Sequence, residues 1–277
     1  MTAKILDGKK LAENIKKEIK KNKLKPGLAT ILVGDNPASQ LYVNMKKKSC
    51  QQCGINFELY KFKENVTDGE VLGAIMALNK NDKIHGIIVQ LPLPKYLDKT
   101  MILQAINPLK DVDGLTSLNL GDIMINNEKL IPATPKGVIT LLDHYKINVK
   151  GKDVVIVSHS TVVGKPLAMM FLNRDATVTV VHEFTKDLKQ YTKNANILIS
   201  AAGVPNLIKK DMVKKGAVVV DVGISKVKGK VQGDLDFKEI KKVASYITPV
   251  PGGIGPMTIA SLLQNVVIAS QQLPKNL

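Results

Sequence analysis

The sequence has no tryptophan, a single arginine (Arg174), and only 6 tyrosines and 5 phenylalanines among its 277 residues. Arginine is the usual reader of bases and phosphates, and aromatic rings are the usual stacking surfaces for nucleotides. A nucleic-acid partner is therefore not expected, and the formal net charge of +16 is the one feature that favours it. A lysine-rich solvated surface accounts for this charge, as does long-range attraction of a polyanionic substrate.

Cysteine and long apolar runs are also scarce. Cys50 and Cys53 are spaced C-x-x-C but have no second ligand pair, so no metal site is predicted. The longest apolar runs are about strand length, far below the ~20 residues of a membrane-spanning helix. Residues 1–11 contain Asp7 and three lysines instead of the apolar core of a signal peptide. We therefore expect a cytoplasmic protein that does not contact a membrane.

Apolar segments alternate with helical patterns along the chain, which predicts parallel sheets and an α/β fold. The segments with strand character are residues 28–33, 55–62, 84–89, 154–157, 177–181, 197–200, 218–222 and 246–247. A polar turn at 150–152 precedes the second run of strands. We expect two domains: residues 1–134, completed by a C-terminal helix at 257–277, and a Rossmann-like dinucleotide-binding domain at 135–256.

The second run contains a candidate dinucleotide site. Residues 154–166 predict a strand, a turn and a helix start, where backbone N–H groups and the helix dipole would face a pyrophosphate. Of the G-x-G-x-x-G pattern only Gly164 is present, but Glu183 follows it by 19 residues. An acid at about that spacing hydrogen-bonds the ribose 2′-hydroxyl of NAD. The predicted cofactor-binding residues are Ser158, His159, Ser160, Val163, Gly164, Lys165, His182, Glu183, Ala201, Gly203, Gly223 and Ile224.

The first run carries candidate catalytic residues. Tyr42 and Lys46 are four residues apart on a predicted helix at 39–53, so they share one face of it. Gln90 follows a buried strand, where a polar side chain points toward a ligand. Asp113 belongs to an acidic turn that lacks the ligand series of a calcium loop. A single acid at such a place can instead bind an amine-rich heterocycle.

Together these segments resemble the FolD family, the bifunctional methylenetetrahydrofolate dehydrogenase/cyclohydrolases. The matching segments keep the order of the family and cover nearly the whole chain. They are Pro37-Ala38-Ser39 with Tyr42, Val43 and Lys46, residues 86–94 (GIIVQLPLP), residues 110–114 (KDVDG), residues 134–137 (TPKG) and residues 248–258 (TPVPGGIGPMT).

The resemblance implies a reaction and a role for each residue. NADP or NAD oxidises a methylene-tetrahydrofolate, and the methenyl product is hydrolysed, in a cleft between the two domains. Lys46 transfers protons and is held by Gln90, Tyr42 stacks on the folate, and Asp113 binds the amine edge of the pterin. Further substrate contacts are implied for Leu91, Pro92, Pro251, Gly252, Gly253 and Ile254. Members of the family are commonly homodimers through the dinucleotide domain.

The chain departs from the family where the cofactor's 2′ position is bound. The family usually has Gly-Arg-Ser at Ser158-His159-Ser160 and His-Ser at His182-Glu183, and its Arg and Ser hold the 2′-phosphate of NADP. An acid repels a phosphate and suits a free hydroxyl, so these residues favour NAD whereas the family favours NADP. Lys186 or a protonated His159 would support NADP. Ala133 replaces a frequent cysteine, which we interpret as a packing change.

Three alternatives remain open at this point. The first is another dehydrogenase of similar two-domain architecture, such as a shikimate-type enzyme, which would not need residues 251–258 as they stand. The second is a basic nucleic-acid-binding protein, which rests on charge alone. The third is a dehydrogenase without cyclohydrolase activity, which is disfavoured because Lys46, Tyr42 and Gln90 are all present.

Overall fold

The computed structural model describes residues 2–22, 24–227 and 229–272, which divide into two compact units. One unit contains Thr134–Thr258 together with the N-terminal segment as far as Ala12. The other contains Glu13–Ala133 and the C-terminal segment from Ile259. We call them the six-stranded unit and the three-stranded unit, after their main sheets.

Strands and helices alternate through both units. The strands are β1 (Lys4–Ile5), β2 (Gly27–Val33), β3 (Asn56–Phe62), β4 (Gly86–Val89), β5 (Asp153–Val157), β6 (Thr177–Val181), β7 (Ile197–Ser200), β8 (Val218–Asp221), β9 (Ser225–Val227), β10 (Lys230–Gln232) and β11 (Tyr246–Ile247). The helices are α1 (Gly8–Lys21), α2 (Pro37–Cys53), α3 (Asp68–Lys80), α4 (Lys99–Gln104), α5 (Ser117–Met124), α6 (Ala133–His144), α7 (Gly164–Leu172), α8 (Leu188–Thr192), α9 (Phe237–Ile240) and α10 (Ile254–Gln272). Within the described ranges, no helix has the length and apolar character needed to cross a membrane.

The six-stranded unit is a parallel sheet in the order β1-β11-β8-β7-β5-β6. Its central strands β7 and β8 are buried throughout because they are runs of apolar residues. β6, the next strand in the chain, lies on one side of β5, whereas β7 and β8 lie on the other side. The strand order therefore reverses between β5 and β7, and ligands of such sheets bind at the carboxyl ends of the strands at this point.

The three-stranded unit is a parallel sheet in the order β3-β2-β4. The central strand β2 is fully buried, whereas the edge strand β3 has mixed exposure. Asn265 of α10 joins this unit, because its amide donates to the carbonyls of Val112 (2.9 Å) and Ile131 (2.8 Å). The expected C-terminal helix therefore completes this unit from Ile259 onward.

The N-terminal boundary differs from the expected domain of residues 1–134. β1 pairs in parallel with β11, with Lys4 opposite Tyr246 and Ile5 opposite Ile247. The Lys9 N–H also donates to the Gly252 carbonyl at 2.8 Å. The segment up to Ala12 is thus held by the six-stranded unit, and the chain enters the three-stranded unit within α1.

Helix α2 begins two residues before the predicted start at Ser39. The Asn36 side chain accepts hydrogen bonds from the Ala38 and Ser39 N–H groups at 3.0 and 3.1 Å, and Pro37 occupies the first turn. The helix ends at Cys53, as predicted, because Gly54 adopts a left-handed conformation (φ 72°). These two caps fix the register of the helix, and with it the direction of the Lys46 side chain.

Candidate active site

The candidate proton-transfer residues meet in the three-stranded unit. Lys46 shares a face of α2 with Tyr42, and Gln90 comes directly after β4. The Lys46 Nζ donates to Gln90 Oε1 at 3.0 Å, and Gln90 Nε2 donates to the Leu91 carbonyl at 2.7 Å. Gln90 is 9% exposed, and both its amide oxygen and its amide nitrogen are hydrogen-bonded. The fixed amide therefore orients the Lys46 amine. Leu91 is partly exposed and Pro92 is exposed, and both follow this amide.

Burial sets the electrostatics of this group. Burial lowers the pKa of Lys46, and the charge of Asp113 opposes this shift. Cys50 lies one turn further along α2, and burial raises the pKa of its thiol to about 12. The thiol is therefore neutral at pH 7, and Asp113 is the acid whose charge acts on Lys46. Burial also raises the pKa of Tyr42, which keeps its phenol protonated.

The two aspartates of the acidic turn, Asp111 and Asp113, have different environments. Asp111 is 1% exposed, and its Oδ2 accepts from the Thr116 N–H (2.7 Å) and the Asn119 amide (2.9 Å). The Asp113 carboxyl acts electrostatically on Lys46, and burial raises its own pKa. Gly114 allows this turn, because its φ is 66° and a Cβ would lie 2.5 Å from the Ile131 carbonyl carbon. Asp111 shapes the turn, and Asp113 is available to a ligand.

The predicted pyrophosphate loop joins β5 to α7 in the six-stranded unit. Gly164 begins α7, and a Cβ there would lie 2.1 Å from the Ser158 carbonyl oxygen. The Ser160 Oγ accepts from the N–H groups of Val163 (3.2 Å) and Gly164 (3.3 Å). Lys165 is exposed in the first turn of the helix. The tight turn and the helix start fit a dinucleotide phosphate at this strand end.

Three of the predicted cofactor residues meet beside this loop. The His159 Nδ1 lies 3.4 Å from Glu183 Oε2, and the rings of His159 and His182 are 4.6 Å apart between centroids. One potential ligand atom from each residue lies within 4.8 Å of the others, a grouping of the kind that binds zinc. However, the His182 Nδ1 accepts from the Phe184 N–H at 3.3 Å, and Glu183 is mainly exposed. The absence of a metal stays a prediction of the sequence.

The remaining predicted residues occupy glycine-containing turns of the six-stranded unit. Ala201 and Gly203 follow β7, and Gly223 and Ile224 follow β8, so both turns lie at carboxyl strand ends. Ile224 is 42% exposed and offers an apolar surface there.

The segment from Pro251 to Ile254 belongs to the same unit and leads into α10. Gly252 has a φ of 110°, and a Cβ on Gly253 would lie 2.6 Å from the Pro249 carbonyl oxygen. Both positions therefore require glycine. Pro251 is exposed at the start of the segment, and Ile254 is buried at its end.

A parallel sheet with a tight glycine-containing loop between β5 and α7, together with a second α/β unit that carries a partly buried lysine, defines the class of two-domain dinucleotide-dependent enzymes. The chain belongs to the tetrahydrofolate dehydrogenase/cyclohydrolase family. The NAD(P)-binding domain of that family matches residues 132–273, and its catalytic domain matches residues 6–113. This membership confirms the resemblance seen in the sequence and removes the alternative of an unrelated dehydrogenase.

Relatives match over nearly their full lengths. The bifunctional protein FolD of Helicobacter pylori is 51% identical, over 97% of this chain and 96% of its own. The crystal structure of the bifunctional FolD enzyme of Campylobacter jejuni is 50% identical and has a TM-score of 0.95, covering 98% of this chain and 100% of that one. The FolD enzyme of Trypanosoma brucei, solved with NADP and an inhibitor, is 37% identical with a TM-score of 0.94 and covers 98% of both chains.

Proposed function

We propose that this chain oxidises 5,10-methylenetetrahydrofolate with a nicotinamide dinucleotide and hydrolyses the methenyl product. The observation that supports the second activity is the 3.0 Å hydrogen bond between Lys46 and the buried Gln90. A chain that had kept only the dehydrogenase would have no need of a partly buried lysine oriented by a glutamine.

The residues of the three-stranded unit bind the folate, position its ring and transfer a proton. Asp113 accepts from the amine edge of the pterin, and Tyr42 stacks on the ring and positions it. Water adds to the cationic methenyl carbon, and its proton passes to the neutral amine of Lys46. Burial favours that neutral form by lowering the pKa of Lys46, and Gln90 directs the amine. One carbon–nitrogen bond of the adduct then breaks, and the departing nitrogen takes up a proton, which leaves the formyl product. Leu91 and Pro92 would line the folate next to this amide.

The residues of the six-stranded unit would hold the dinucleotide, which supplies the hydride acceptor. The loop from Ser158 to Lys165 binds the pyrophosphate, and the turns that end in Gly203 and Ile224 receive the nicotinamide end. Residues 251–254 would line the ligands beside them. Binding in one fixed orientation is the main contribution of the protein to hydride transfer.

We further propose NAD as the preferred dinucleotide. The exposed Glu183 carboxylate lies 3.4 Å from His159, at the position where the family has a phosphate-binding pair. A carboxylate accepts a hydrogen bond from a ribose 2′-hydroxyl but repels a 2′-phosphate. The family favours NADP, so this choice rests on the two substitutions alone.

A homodimer through the six-stranded unit is also proposed. β6 is an edge strand of the sheet, and Val180 on it and Phe184 after it are 38% and 79% exposed. Apolar side chains beside an open strand edge favour association. Light scattering should give the mass of a dimer, and a monomer across the working concentration range would reject this proposal.

The decisive experiment is a spectrophotometric assay with methylenetetrahydrofolate, run in parallel with NAD and NADP. We expect reduction of both dinucleotides, with the higher kcat/KM for NAD. Hydrolysis of the methenyl compound is followed in the same preparation without dinucleotide. If neither dinucleotide is reduced, the proposed dehydrogenase activity is wrong.

Replacing Asp113 by asparagine should shift the rising, acid-side limb of the cyclohydrolase pH–rate profile to lower pH. The charge of Asp113 raises the pKa of Lys46, so its removal leaves the lowering effect of burial less opposed. The neutral amine then becomes abundant at a lower pH, and kcat rises earlier. Loss of a charged contact to the pterin should also raise the folate KM by roughly tenfold or more.

The measurement is kcat for methenyl hydrolysis across the neutral and alkaline range. Glu58→Gln is the matched control, because this exposed carboxylate of β3 accepts from the Tyr60 hydroxyl and has no assigned role. An unshifted profile in Asp113→Asn would show that Asp113 does not set the ionisation of Lys46.

A further inference from the structure

Two buried aspartates of the six-stranded unit have no role in the proposed function so far. Asp221 ends β8 and is 4% exposed, and Asp234 precedes α9 and is 0% exposed. The cost of burying a carboxylate is large unless it is well hydrogen-bonded. The burial of two carboxylates therefore indicates that their hydrogen bonds hold this part of the fold in one conformation.

Asp234 holds the turn that follows β7. Its Oδ2 accepts from the Ser200 Oγ at 2.8 Å, the Ala202 N–H at 2.8 Å and the Gly203 N–H at 3.3 Å. One carboxylate oxygen thus binds the end of the strand and two consecutive N–H groups of the turn. The conformation of this turn depends on the Asp234 side chain.

Asp221 holds the turn that follows β8 and links it to Asp234. Its Oδ1 accepts from the N–H groups of Gly223 (3.1 Å) and Asp234 (3.0 Å), and its Oδ2 accepts from the Leu235 N–H (3.1 Å). The two carboxylates therefore connect both glycine turns through one buried network.

The two glycines beside the carboxylates leave no room for a side chain. A Cβ on Gly223 would lie 2.0 Å from Asp234 Oδ1, and a Cβ on Gly233 would lie 2.0 Å from Asp221 Oδ2. Each carboxylate is thus pressed against the backbone of a glycine. Asp234 Oδ1 is buried and has no hydrogen-bond donor. Burial, aided by the charge of the neighbouring Asp234, raises the pKa of Asp221 to about 7.

We propose that Asp221 and Asp234 are positioning residues for the dinucleotide, and that they hold the turns after β7 and β8 in the conformation that receives its nicotinamide end. The inference rests on the proposed function, because only that function assigns these turns to the cofactor. It has a specific consequence: the dehydrogenase step depends on the pair, whereas hydrolysis of the methenyl compound consumes no dinucleotide and uses Lys46 of the other unit.

The test compares both activities in Asp234→Ala, Asp234→Asn and the control Asp236→Ala. Asp236 lies two residues away, and its side chain makes no capping hydrogen bond to α9. Asp234→Ala leaves three donors without an acceptor, so kcat/KM for the dinucleotide should fall on the order of 100-fold, mostly through KM. Cyclohydrolase kcat should stay within about twofold of the wild type, since no hydrogen bond of the pair reaches Lys46.

Asparagine supplies a rescue that a general packing defect would not show. Its amide oxygen accepts the same three hydrogen bonds, and its NH2 group replaces the unpaired oxygen, so most of the dinucleotide affinity should return. Equal loss of both activities in Asp234→Ala and Asp234→Asn would overturn the proposal, as would an unchanged KM for the dinucleotide in Asp234→Ala.

A binding measurement separates this inference from the proposed function. NADH fluorescence titration of the wild type and the three variants reports the turns without any folate. If the wild type binds NADH but reduces no dinucleotide in the folate assay, the proposed function fails and the weaker NADH binding of Asp234→Ala still supports the inference. Equal NADH affinity in the wild type and Asp234→Ala contradicts the inference whatever the folate assay shows.

Discussion

Lys46→Ala should lower the cyclohydrolase kcat by about 100- to 10,000-fold, the range that a positioned acid–base group contributes. The Lys46 amine is held at 3.0 Å from Gln90 and has its pKa lowered by burial, which prepares it to accept a proton from water. Alanine removes this group and leaves Tyr42 and Asp113 in place. The folate Kd should therefore change by less than about tenfold, because proton transfer contributes to kcat more than to binding.

The measurement is methenyl hydrolysis at saturating substrate, with folate affinity determined separately. Lys47→Ala is the matched control, since Lys47 is the next residue on α2 and is exposed. Gln90→Leu keeps the size of the side chain but removes the acceptor, and we expect a smaller loss of roughly 10- to 100-fold. An unchanged hydrolysis rate in Lys46→Ala would rule out the role assigned to this lysine.

The sequence predicts the main strands well because each is a short apolar run. Segments 28–33 and 177–181 correspond to β2 (Gly27–Val33) and β6 (Thr177–Val181) within one residue. β1 (Lys4–Ile5) is missed because two residues show no periodicity, and its pairing with β11 decides which unit holds the N-terminal segment. Contacts between distant segments of the chain are not encoded in a local pattern.

In the site, too, the sequence predicts residues that are close along the chain better than contacts that the fold creates between distant residues. The sequence shows the spacing of Tyr42 and Lys46 on one helix and the polar residues Gln90 and Asp113, and the resemblance to the family adds the role of each. The network of Asp221 and Asp234 is not visible, because the two aspartates are 13 positions apart and only the fold reveals their burial. The sequence contains one weak signal for this network. Gly223 follows Asp221 by two residues, and Gly233 directly precedes Asp234.

The double variant His159→Arg with Glu183→Ser should raise the ratio of NADP to NAD kcat/KM by about 100-fold or more. Arginine offers a phosphate two parallel charge-assisted hydrogen bonds, and removing the carboxylate removes a like-charge repulsion. Glu183→Ser alone should reduce the use of NAD, since it removes the acceptor for the 2′-hydroxyl. The measurement is kcat/KM for both dinucleotides at low and high salt, because exposed charges are screened as ionic strength rises.

Lys186→Ala tests whether Glu183 or Lys186 controls the preference for NAD or NADP. If the wild type prefers NAD, as Glu183 indicates, this substitution of an exposed lysine should have little effect on either dinucleotide. If the wild type prefers NADP and Lys186→Ala removes that preference, the lysine supplies the positive charge that Arg supplies elsewhere in the family. In that case Glu183 does not control the cofactor, and the proposed preference for NAD is wrong. The carboxylate would then serve mainly to hold His159, 3.4 Å away.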